Sequence, residues 1–186
     1  MNKSFSVAVL GGVLLAAPVG AQTAAPGPAS RDARVAQPKA AECGAMPATL
    51  DGVAFAIDGD TLALLGQKAH VRIWGIQAPE LRDKDRIETV PGMRARASLE
   101  DLLEKADRKV KCRPLKWDVD CQLVAQCTTA GSVDVGGQMI SGGMAYGHHL
   151  DEVLPWEARA NQRYATAESL ARDRKLGLWP FWLGEK

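Results

Sequence analysis

The chain is poor in what broad polyanion binders usually carry. Lysine plus arginine number 23 against 22 aspartates plus glutamates, and setting Lys3 aside the two signs balance. A strongly basic footprint is therefore absent, and contact with a polyanion has to come from a local patch. Aromatics make up only 5% of residues, with just two tyrosines. No C-x-x-C occurs, and His70, His148 and His149 lack ligand spacing, which argues against a zinc centre. After the first residues no stretch approaches the roughly 20 apolar residues of a membrane span.

What is present first is a leader. Lys3 precedes an apolar stretch from Phe5 to Ala17, and Val19-Gly20-Ala21 supplies small residues before Gln22. This is the pattern of a secretory signal peptide over residues 1–21, cut after Ala21, with an uncleaved anchor as the competing reading. Residues 22–42, rich in Ala and Pro, cannot bury a core and read as a disordered linker. Residues 43–186 suit one domain of ordinary size. The destination is exported, periplasmic or secreted.

All four cysteines lie in that domain. An even count in an oxidising compartment favours two disulfides. On one extended strand Cys121 and Cys127 would stand about 20 Å apart, whereas bonded Cα atoms lie roughly 5 to 6 Å apart. A hairpin turning at Val119-Asp120 sets Cys112 opposite Cys127 and leaves Cys43 for Cys121.

Val53, Phe55 and Ile57 alternate, Asp58-Gly59 marks a turn, and Thr61–Leu65 and Ala69–Ile76 continue a three-strand meander. Ala95, Leu99, Leu102, Leu103 and Ala106 recur at helical spacing. Val110–Cys112 and Leu123–Ala125 add two strands, Val135–Ser141 suits a short helix, and Pro155 to Gly177 frames a helix over Trp156–Leu176. The expectation is an α+β domain: a five-stranded barrel with about three packed helices. Trp156, Trp179, Phe181 and Trp182 read as core and clamp residues of the last helix rather than as stacking groups.

One spacing carries chemistry. Asp60 starts a strand, Arg72 lies inside the next, and Glu80 follows Pro79 just past its end. Strand ends of a small twisted barrel converge. A carboxylate, an arginine and a second carboxylate then suit metal binding, phosphate pairing and proton removal from water in phosphodiester hydrolysis. Taken singly, Asp58-Gly59-Asp60 is turn chemistry, Arg72 an outward strand residue and Glu80 a loop residue.

In order, "IDGDTLAL", "VRIWGIQAPE", a helix, "VKCRPLKWDVDCQLVAQC", "ISGGMAYG" and "ARDRKLGLW" resemble the staphylococcal nuclease family over roughly Gly52 to Trp179. The resemblance implies an oligonucleotide-binding (OB-fold) barrel. It also implies a calcium-dependent nuclease site with two metal aspartates, a backbone carbonyl, a water-activating glutamate and two phosphate-gripping arginines. Asp60, Arg72 and Glu80 match three of these positions. The second aspartate is Gln77, the carbonyl falls to Ala78, and the second arginine is Gln122, with Asp120 where a base-stacking tyrosine stands. His149 falls near another stacking position, a surface histidine being its plain alternative.

Glutamine brings no charge to calcium or to a phosphate, so a weak or absent calcium site and poor or absent cleavage are expected. Single-stranded nucleic acid or another phosphate-bearing ligand remains the implied partner, and the chain is expected to be a monomer. Two rivals stand beside this reading. One is a working nuclease in which Gln77 and Arg113 or Lys116 compensate; the other is a non-catalytic envelope module with an unidentified protein partner.

Overall fold

The computed structural model describes residues 43–185. The proposed signal peptide and linker lie outside the described residues. Strands β1 (Leu50–Ala56), β2 (Thr61–Leu64), β3 (Val71–Ile73), β5 (Lys109–Trp117) and β6 (Leu123–Thr129) close into a barrel in the order β1-β2-β3-β6-β5. Every pairing is antiparallel except β3 with β6, which run parallel. Two short strands, β4 (Ile76–Gln77) and β7 (Tyr146–Gly147), form a separate ladder.

Four helices accompany the barrel among the described residues, one more than expected: α1 (Val90–Glu104), α2 (Val135–Ser141), α3 (Ala160–Asp173) and α4 (Trp179–Trp182). Thr89 caps α1, its hydroxyl accepting from the Gly92 N–H at 3.1 Å, and Pro91 sits in the first turn where no N–H is needed. Ala95, Leu99 and Leu103 bury the inner face of α1. Asp134 caps α2 in the same way, accepting from Gly137 N–H at 3.2 Å.

α3 begins later than its sequence pattern suggests, because Trp156 and Glu157 are engaged sideways. The Trp156 indole donates to Gln126 Oε1 at 2.6 Å, and the Glu157 carboxylate accepts from Gln126 and Arg163. Of the four C-terminal aromatics, Trp179 is buried, but Phe181 is 59% exposed and is not part of the core.

Both disulfides form between the cysteines named above. Cys112 and Cys127 face each other across β5 and β6 and are fully buried. Cys43–Cys121 ties the residues ahead of β1 to the turn between β5 and β6, with Cα atoms 5.2 Å apart. Two disulfides are compatible with an exported protein. No helix among the described residues is long and apolar enough to cross a membrane.

Candidate phosphodiester site

The turn ahead of β2 is built by its own side chains. Asp58 Oδ1 accepts from the Asp60 N–H at 2.9 Å, an Asx turn. Gly59 is required for another reason: a Cβ there would stand 2.5 Å from Ala78 Cβ and 2.6 Å from Ala95 Cβ. The turn therefore lies directly against α1 and against the segment after β4, and Asp60 is carried inward to 3% exposure.

Each Asp60 oxygen is engaged. Oδ2 accepts from the Ala78 N–H at 2.8 Å, and Oδ1 accepts from the Thr61 hydroxyl at 3.1 Å, with the Arg72 guanidinium 3.5 Å away. Burial nevertheless dominates and pushes the carboxyl up to about 6, against the lowering effects of the Ala78 hydrogen bond and of Arg72.

Arg72 reaches this point because its register places it opposite Thr61. Its second nitrogen donates to Gln77 Oε1 at 2.6 Å, while Gln77 Nε2 donates to the Ala78 carbonyl at 3.1 Å. A guanidinium only donates and a carbonyl only accepts, so the amide orientation of Gln77 is fixed by its two neighbours. Asp60, Arg72, Gln77 and Ala78 thus close a ring of hydrogen bonds and one ion pair.

Glu80 lies apart from that ring. Its carbonyl accepts from the Thr89 hydroxyl at 2.7 Å, and the backbone of Gly92 packs so closely that an added Cβ would meet Glu80 O at 2.3 Å. The start of α1 therefore sets the position of Glu80, whose exposed carboxylate makes no hydrogen bond or ion pair among the described residues.

On the other side of Arg72 opens a cleft of about 320 Å³, walled by the 118–122 turn and by His148 and His149. Gln122 and His149 join Arg72 in lining it; Asp60, Gln77, Ala78 and Glu80 do not. Gln122 Oε1 is buried with no hydrogen-bond partner among the described residues. The turn that carries it is held by Asp118 Oδ1, which accepts from the N–H groups of Asp120 and Gln122, and by Cys43–Cys121.

In an extended segment adjacent side chains such as His148 and His149 point to opposite sides, but here they do not. His149 has a φ of +50°, and this left-handed turn brings the rings to a centroid separation of 4.0 Å, edge to face. Burial, then His149 and Arg72, hold the His148 imidazole below its ordinary value.

Sequence reasoning missed Glu152. It pairs with Lys116 across the cleft and accepts from the Trp74 indole on its backbone carbonyl at 3.1 Å. It arrives on an irregular loop that no periodicity announces. With it, three carboxylates (Asp118, Asp120, Glu152) face two cations, Arg72 and Lys116, around the cleft. Arg113 stands outside the lining, its guanidinium 4.7 Å from the centre of the Trp156 ring.

Comparison with known families finds a match to the family model described as staphylococcal nuclease homologue over residues 70–180, more than half of the chain. The matched span takes in Arg72, Gln77, Glu80 and Gln122 and begins after Asp60. Comparison with curated proteins returns no match.

Proposed function

Because the chain belongs to the staphylococcal nuclease homologue family, we propose that it is an exported member whose phosphodiesterase site is partly dismantled. On this reading it retains a cleft for a phosphate-bearing ligand, single-stranded nucleic acid included, and has little or no cleavage activity. The observation that carries the reading is the closed ring around Asp60. Calcium takes six to eight oxygens and favours several carboxylates. Here Asp60 is the one carboxylate in the ring, its burial raises the cost of its charge, and the Gln77 and Ala78 oxygens beside it already accept protein hydrogen bonds. These residues fit a calcium ion poorly, so binding is weak or absent.

The phosphate end argues the same way. Gln122 offers no charge to a developing oxyanion, and the cleft around it is not electropositive. A lost transition-state donor typically costs about 3 kcal/mol. Of the two cations lining the cleft, Lys116 is committed to Glu152, and Arg72 has to exchange its Asp60 and Gln77 partners to pair with a phosphate. Glu80 keeps a free carboxylate able to take a proton from water.

The test is calcium-dependent degradation of single-stranded DNA by purified protein, with a chelator control. Expected activity lies at least about a thousandfold below that of a competent family member. Gln77→Asp with Gln122→Arg should raise it, the pair exceeding either single change, and Glu80→Gln in that background should remove the gain. Brisk cleavage by the unmodified protein would refute the dismantled-site reading and favour compensation by Lys116. A folded but inert restored variant would favour the protein-binding module.

A further inference from the structure

Strand β5 alternates cations outward with apolar residues inward. Lys109, Lys111 and Arg113 are exposed, while Val110, Cys112 and Pro114 are buried. A bulge between Pro114 and Lys116 breaks the alternation, so that Lys116 is exposed as well and reaches the cleft. The outer face of one strand is therefore a cationic line that ends at the cleft rim.

Of the eighteen lysines and arginines among the described residues, seven stand in an ion pair, Lys116 among them, but the rest of this line does not. Among the described residues Lys109, Lys111 and Arg113 make no ion pair, whereas their neighbour Arg108 is committed to Glu100 and Glu104. The neighbouring strands add little negative charge. Val53 lies beside Lys109, Thr128 beside Lys111, and Asp51 is the one acid in register with the line.

An aromatic ring marks each end. Arg108 lies 4.9 Å from the centre of the Phe55 ring, which is 42% exposed, and Arg113 lies over Trp156. Alternate residues of a strand recur at about 6.7 Å, an interval comparable to that between phosphates of an extended single strand. A cationic groove or ridge with aromatic platforms is how single-stranded nucleic acid is held without sequence preference. A membrane surface would ask for a broader basic area with apolar side chains to insert, whereas here the cations stand in one row with Phe55 and Leu65 as exposed apolar neighbours near its Lys109 end.

We infer that the outer face of β5, through Lys109, Lys111 and Arg113 with Phe55 stacking a base, is a binding track for single-stranded nucleic acid that runs to the cleft rim at Lys116. This site is separate from the cleft and holds whether or not the cleft cleaves.

The experiment measures anisotropy of a labelled oligodeoxythymidylate of about 15 nucleotides, with chelator present, across a salt series on purified protein. Each phosphate contact on a single strand contributes about 0.7 to the slope of log K against log salt. Lys109→Gln with Lys111→Gln should therefore flatten that slope by about 1.4 and weaken binding about 25-fold at roughly 0.1 M salt. Phe55→Ala should weaken it about fivefold or more.

Deoxythymidine monophosphate, which reports on the cleft alone, should bind the double variant as it binds the parent. Glutamine at two exposed positions should leave the thermal midpoint unchanged. Unaltered affinity and slope for the oligonucleotide would overturn the inference. So would loss of binding to vesicles of phosphatidylcholine with about 30% phosphatidylserine when the oligonucleotide is unaffected, which would make the face a lipid contact. If the monophosphate fails to bind while the oligonucleotide result stands, the cleft reading falls and the track remains.

Discussion

Replacing Asp60 by asparagine isolates the cost of the buried charge. At low pH both side chains are neutral and nearly isosteric, so the difference in stability between parent and variant reports only the loss of one proton-bearing oxygen. As pH rises, the unfolded parent ionises at the ordinary 3.8, while the folded parent holds its proton until about 6. Because the folded pKa is the higher one, the proton's contribution to parent stability is complete below 3.8 and lost as pH climbs through 6. At 1.36 kcal/mol per pH unit the gap corresponds to about 3 kcal/mol. Asp60→Asn, which cannot ionise, should gain about 3 kcal/mol on the parent between pH 3.5 and pH 7.5, whatever their absolute difference at either end. Guanidinium unfolding at half-unit pH intervals with chelator present gives the difference curve. A flat curve would mean that Arg72 and the Ala78 hydrogen bond offset burial in full, and a parent that gains with rising pH would mean that they outweigh it. In that case the ring would be a preformed anionic site instead of one biased against charge.

Three further outcomes are expected. Cys43→Ser with Cys121→Ser opens a loop with a sequence separation of 78, and the chain-entropy relation gives a loss of about 4 to 5 kcal/mol in denaturant unfolding; a loss near zero would mean that the residues ahead of β1 are held by other contacts. Gly92→Ala drives a Cβ onto the Glu80 carbonyl, and the overpacking should destabilise the domain by about 1 to 3 kcal/mol, whereas an unchanged midpoint would show that the 79–81 backbone yields freely. N-terminal sequencing of the exported protein should begin at Gln22; recovery of Met1 would refute cleavage.

Much of the scaffold was legible because its signals are local. Asp58-Gly59 and the 118–122 turn punctuate the strands, and the apolar spacing of Ala95, Leu99 and Leu103 marks the packed face of α1. The glycine-rich run around α2 allows only a short helix over Val135–Ser141, the limits the structure shows. Contacts that depend on the closed barrel were not legible. Arg72 bonding Gln77, the burial of Asp60 and the arrival of Glu152 beside Lys116 all join segments whose pairing no single window encodes. The His148 and His149 rings meet because one residue enters the left-handed region, which a histidine side chain does not advertise. Trp156 looks like a helix residue by propensity, but its indole finds Gln126 on β6 and the helix starts after it. α4 spans four residues just past Gly177, the stop read for the preceding helix, and so short a run carries no helical period of its own.

The parallel pairing of β3 with β6 also has a consequence in time. Arg72 sits between Thr61, one hairpin back in the chain, and Val124, which follows only after α1 and β5. A chain emerging from its N-terminus can assemble β1, β2 and β3 early, but one edge of β3 then stays open until β6 is delivered. The same delivery brings the 118–122 turn, so the arginine acquires its second neighbour and the cleft its wall in one event. A partly emerged chain can bring Asp60, Arg72, Gln77 and Ala78 together, but it lacks the cleft wall and keeps a strand edge exposed until β6, just past the middle of the domain, has arrived.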